Sequence, residues 1–163
     1  MGDLLRLAVG PRRGLRRATS ALTWYERGVA LEAVDPPGAI AAYRRALAGR
    51  PDLADAHCNL GRLLHDGGDL AAAEACYRQA RELAPRVGLY AFNLGVALED
   101  AGRADEAVDQ YEQALVLEPA FADAHYNLAR LIELAARGRG DDVLLRRALR
   151  HLHAYRRLAR ASA

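Results

Sequence analysis

A chain of 163 residues, 52% apolar and 27% charged, is long enough for one sizeable core and too short for two ordinary domains. Alanine and leucine dominate while β-branched residues are scarce, which favours helix and excludes a sheet-based reading. The formal charge of +2 conceals an asymmetry: residues 1–19 and 141–163 carry +4 each, whereas 20–140 holds 12 Arg against 18 acids and is −6.

All 23 basic residues are arginine, which reads as GC-rich, bacterial coding rather than a functional choice. No apolar run approaches a membrane span, and the start lacks the apolar stretch of a secretory signal. Residues 1–19 read as a disordered basic tail on a cytoplasmic protein, although their Arg-rich, acid-poor character is shared with mitochondrial presequences. Cys58 and Cys76 have no metal-ligand spacing and read as reduced packing residues.

In chain order, segment 20–53 predicts a helix bearing Trp24, Gly28 and Leu31, a turn at Pro36-Pro37-Gly38, and a second helix bearing Ala39, Tyr43 and Ala46 before Pro51. Then Ala-Asp-Ala-His-Cys-Asn-Leu-Gly-Arg-Leu at 54–63 returns as Ala-Asp-Ala-His-Tyr-Asn-Leu-Ala-Arg-Leu at 122–131, an offset of 68, or twice 34. An intermediate copy at 88–97 keeps Asn93, Leu94 and Gly95 in step. Segment 54–87 carries Leu60, Gly61, Leu64, Gly68, Ala73, Tyr77, Ala80 and Pro85. Segment 88–121 repeats them as Leu94, Gly95, Leu98, Gly102, Ala107, Tyr111, Ala114 and Pro119. In 122–158, Leu128, Ala129 and Ile132 are in register. The turn then runs long, and 136–142 is predicted as an inserted loop. A basic helix resumes near Val143, with Ala148, Leu152 and Tyr155 at second-helix spacing, and 159–163 is a short tail.

This 34-residue pattern resembles the tetratricopeptide repeat. The resemblance implies an all-α, right-handed superhelical solenoid of about four helix–turn–helix units, at 20–53, 54–87, 88–121 and 122–158, with seven or eight helices and no sheet. In such units Gly61 and Gly95 are expected to face Ala73 and Ala107, with Tyr77, Tyr111, Ala80 and Ala114 filling the surrounding space. Gly68 and Gly102 supply a positive φ at the end of the first helix, and Pro85 and Pro119 stop the second.

The resemblance also implies recognition rather than chemistry: first helices of such arrays line a concave groove that holds extended peptides or helices. The expected function is a non-catalytic scaffold binding a protein or peptide segment. By register, Asn59, Asn93 and Asn127 face that groove, next to the apolar packing positions but not among them, where amides can pair with a peptide backbone. Tyr25, Phe92 and Tyr126, with Cys58, form a row beside them, and Arg62 and Arg130 follow one turn on. Two alternatives remain: a regulatory module of a bacterial transcription regulator, which the wording of the first repeat resembles, or an accessory arm of a glycosyltransferase-type enzyme.

Other chemistries find no motif. The positions matching a chaperone-tail carboxylate clamp fall on Tyr25, Val29, Asn59, Leu89 and Asn93, where only Asn59 fits, or on Cys58, Arg62, Asn93, Asp123 and Asn127, which retains only the Asn and puts an acid where a base is needed. Nothing suggests a nucleophile, a cofactor or a phosphate loop. His57 and His125 share a repeat position, and His151 and His153 point to different faces of one helix, so no metal is expected. The basic termini read as solubilising ends rather than as sites for nucleic acid or an anionic surface, since no aromatics interleave with the arginines of the last helix.

Overall fold

A computed structural model describes residues 13–161, without the side chains of 13–19 and 139. The described residues form eight helices and no strand, and the chain divides into two compact units between Pro51 and Asp52.

The first unit is one helical hairpin, α1 (Arg13–Leu31) against α2 (Pro36–Gly49). Asp35 caps α2 by accepting from the Gly38 N–H at 3.1 Å, and Pro36 occupies the first helical position, where its missing N–H costs nothing. Gly28 lets the helices meet, since a Cβ there would lie 2.6 Å from the ring of Tyr43. Tyr43 is fully buried and its hydroxyl donates to Glu32.

The second unit stacks three hairpins. These are α3 (Ala54–Asp66) with α4 (Leu70–Leu83), α5 (Gly88–Asp100) with α6 (Ala104–Leu117), and α7 (Ala122–Arg139) with α8 (Asp142–Ala161). Successive hairpins join where α4 packs on α5, α6 packs on α7, and α3 touches α5. Gly68 and Gly102 adopt φ of 83° and 77° in the turns, as their places require. Ala73, Ala80, Ala107 and Ala114 are fully buried, so small side chains permit the close approach of helices. An Arg103 fork ties α4 to α6: it donates to Glu74 at 2.8 Å and to Glu106 at 2.6 and 2.7 Å. The hydrogen bond from Arg78, followed by that from Arg103, holds the Glu74 carboxyl below its usual range.

Three sequence expectations are corrected. Residues 13–19 are helical rather than a disordered tail, and residues 1–12 lie outside the described ones. The segment 136–142 is not an inserted loop. Good helix formers carry α7 on to Arg139, with Ala136 fully buried, until Gly140 closes the helix at φ 65°. Asp141 then caps α8 by accepting from the N–H groups of Val143 and Leu144 at 2.9 and 3.0 Å. At the other end α8 runs through Ala161, so most of the supposed tail 159–163 is helix, and 162–163 lie outside the described residues. At the helix contacts within the hairpins, a Cβ on Gly61 or Gly95 would first meet the tyrosine one turn after Ala73 or Ala107. A Cβ at Gly95 would meet the Tyr111 ring at 2.7 Å and the Gln110 Cβ at 3.3 Å, and one at Gly61 would meet the Tyr77 ring at 2.9 Å.

Candidate functional site

The three asparagines occupy matching places on α3, α5 and α7, and each is half-buried. Two of them reach back to the preceding repeat. Asn93 Nδ2 donates to Cys58 Sγ at 3.2 Å, and Asn127 Nδ2 donates to Tyr111 Oη at 3.3 Å. The row therefore takes part in repeat-to-repeat bonding, a role that the sequence reading had kept apart from it. An amide has two N–H donors and an oxygen, so one such bond leaves capacity for others.

The aromatic row is unevenly used. Phe92 lies half-buried between Tyr111, with centroids 5.6 Å apart, and Phe121, at 4.6 Å, over Ala91, Ala114 and Ala124. Cys58 is buried, and Tyr25, in the first unit, packs on Tyr43 at 5.8 Å. Tyr126 is the most open of the four at 45% exposed, with its ring 5.2 Å from that of Tyr155.

Charged neighbours follow the same logic. Arg62 pairs with Asp66 one turn along at 3.6 Å. Arg130 reaches back to Glu99 on α5, and Glu99 also accepts from Tyr111 Oη at 3.0 Å. His65 Nε2 lies 2.8 Å from Asp100 Oδ2 on α5. Burial pushes the Tyr111 hydroxyl up to about 12.

Two features were not read from the sequence. Tyr126, Ala129 and Arg130 of α7 face Leu145, Leu149 and Leu152 of α8 across a cleft of about 300 Å³. The α8 leucines were legible only as an apolar stripe, because a stripe does not reveal whether anything covers it. The second is a histidine pair, His125 Nδ1 and His151 Nδ1, 2.9 Å apart. His125 Nε2 lies 3.1 Å from the Pro119 carbonyl, which only accepts, so Nε2 holds a proton and a neutral His125 accepts from His151 at Nδ1. Burial, reinforced by His125, Arg147 and Arg150, lowers His151 from the usual 6.5 to about 4. The two are 26 residues apart, off the repeat period, so no spacing announces them. Among the described residues no three His, Cys, Asp or Glu converge on a metal position, and no helix is long and apolar enough to cross a membrane.

Comparison with known proteins agrees with this architecture. A tetratricopeptide repeat model matches residues 58–116 and 92–142, and a TPR repeat model matches 37–66. The chain belongs to the tetratricopeptide repeat family. Among solved structures it resembles MamA, with a TM-score of 0.76 at 19% identity over 91% of this chain and 84% of that one. MamA residues 41-end from Desulfovibrio magneticus RS-1 gives a TM-score of 0.73 at 20% identity, covering 86% and 76%. The first TPR of Spaghetti (RPAP3), bound to the HSP90 peptide SRMEEVD, gives 0.70 at 22% identity, covering 73% and 95%. These likenesses establish the all-α repeat-solenoid fold. No curated protein matches the sequence.

Proposed function

We propose that this protein is a non-catalytic scaffold that holds an extended protein or peptide segment against its first helices. The floor of the groove in the second unit is Asn59, Asn93 and Asn127, with Arg62, Tyr126 and Arg130 beside it. The observation that carries this reading is the same half-buried amide on α3, α5 and α7, one per 34 residues. An amide ladder pairs with peptide backbone while remaining indifferent to much of its side-chain sequence. The fold does not lend this chain the ligand of Spaghetti, which is bound to an acidic HSP90 peptide. The positions that would grip a terminal carboxylate hold Asn59, Asn93 and Asn127 but lack the accompanying bases.

The test is selection of a random peptide library against the whole chain, followed by chemical-shift mapping of a retained peptide. Perturbations centred on α3, α5 and α7, weakened in Asn59→Ala, support the proposal. Perturbations centred on α4 and α6 refute it.

A further inference from the structure

The second unit carries a contact code between its hairpins that its last hairpin leaves open. Within that unit, α5 and α7 each bury one face against the preceding hairpin. Tyr90 and Ala97 on α5 are 4% and 2% exposed, and Ala124 and Leu131 on α7 are 0% and 6% exposed. Facing them is the preceding hairpin, chiefly its second helix, α4 against α5 and α6 against α7, while at the first helices Asn93 of α5 bonds Cys58 of α3 and Arg130 of α7 pairs with Glu99 of α5.

Two surfaces of the chain carry half of this code. On α7 the place of Cys58 and Phe92 is taken by Tyr126, 45% exposed, and together with Leu149 of α8, 52% exposed, it opens the 300 Å³ cleft. That cleft has the form of a seat for one more first helix. On α1 the register equivalents of Tyr90 and Ala97 are Thr23 and Ala30, both exposed, with Val29 beside them at 47%. That is the face that a first helix turns towards a preceding repeat.

We propose that copies of this chain associate head to tail, α1 of one copy docking into the α7–α8 cleft of the next as a fifth first helix. The occupant follows from the register: interior seats of this kind hold first helices, and α1 is a first helix whose corresponding face is open. The contact is heterologous, so each copy offers one surface of each kind and association deepens with concentration. It buries one small helix face, which places it at the weak end of specific interfaces. Glu26 takes the place of Asn93, which bonds Cys58, and so comes to the Tyr126–Arg130 side of the cleft. The chain ends each carry +4, so apolar burial works against like-charge repulsion and association strengthens as salt screens it.

Sedimentation velocity of the full chain across a wide concentration range tests this, together with Ala30→Glu on α1 and Leu149→Glu in the cleft. Both positions are exposed, and circular dichroism checks that each variant folds; Val29→Arg replaces Ala30→Glu if that variant does not. The wild type self-associates as its concentration rises, and more so at high salt. Each variant alone stays monomeric. Their equimolar mixture forms a one-to-one pair and nothing longer, because each contributes the one intact surface that the other lacks. A monomeric wild type, variants that assemble like wild type, or a mixture that fails to pair overturns the proposal.

Discussion

Glycine at position 95 provides the most direct test of how the hairpins are held. A Cβ there would sit 2.7 Å from one ring atom of Tyr111 and 2.9 Å from the next. Carbon atoms rest at about 3.5–4.0 Å, so the ring has to retreat by the better part of an ångström. It has nowhere to go. Tyr111 is fully buried, donates to Glu99, accepts from Asn127 and packs on Phe92. Overpacking of this kind costs about 1–3 kcal/mol, and Gly95→Leu belongs at the upper end. At about 2–4 °C per kcal/mol for a chain of this size, the melting temperature falls by about 6–12 °C. The control is Gly138→Ala on α7, where a Cβ meets nothing within 4 Å. There the substitution recovers helix propensity and stabilises by about 0.5–1 kcal/mol. Thermal melts followed by circular dichroism decide the matter, with Gly95→Ala intermediate. If Gly95→Leu melts with the wild type, Tyr111 is not locked and the account of the α5–α6 contact is wrong.

Asn93→Ala and Asn127→Ala each remove one hydrogen bond between repeats and lower stability by about 0.5–1.5 kcal/mol, measured by urea unfolding; melts unchanged within error would place these amides outside the fold's bonding. The folded state holds His151 below its usual 6.5, so this histidine contributes nothing to pH dependence above that value and costs stability as pH falls from 6.5 towards about 4. Its half exposure and solvent screening reduce the effect to about 1 kcal/mol, and His151→Phe flattens that part of a stability-versus-pH curve while leaving the carboxylate-driven loss below it. Arg103→Ala separates Glu74 from Glu106 at an exposed edge of α6, so it costs little stability and the loss shrinks in high salt, as read from denaturant melts with and without added salt.

The repeat spacing made the hairpins legible because packing places recur every 34 residues and demand small, large or turn-forming side chains there. Gly68, Gly102, Ala107 and Tyr111 show what that pattern specifies. It does not specify what fills a longer connection. The residues after Ile132 read as a loop because they broke the period, yet Ala135-Ala136-Arg137 extend a helix more cheaply than they form a turn, and only Gly140 ends it. Gln110 is half-buried beside Gly95 and accepts from Arg81, a contact that the repeat spacing does not announce. The candidate groove was legible as a row of places, whereas the partners of its side chains were not. Asn93 meets Cys58 only through the way α5 lies on α3, and His125 meets His151 only through the pairing of α7 with α8.

That asparagine row has a further consequence for how binding and folding are linked. In stacked repeats, stability is close to a sum of hairpin terms and nearest-neighbour interface terms. Asn93 and Asn127 lie on two such interfaces and also on the proposed groove floor. A peptide that bonds the remaining polar atoms of these amides holds them in the rotamer that also donates to Cys58 and Tyr111. Binding at the groove and cohesion between repeats then reinforce each other, with no change of shape required. Any ligand of the folded state raises stability, by about 2.7 kcal/mol at a hundredfold excess over its dissociation constant. Coupling adds a local signature that such mass action lacks. Amide hydrogens at the α3–α5 and α6–α7 contacts gain protection from exchange before those at the α1–α2 hairpin do. Alanine at position 93 removes that order at the first contact while leaving the second intact.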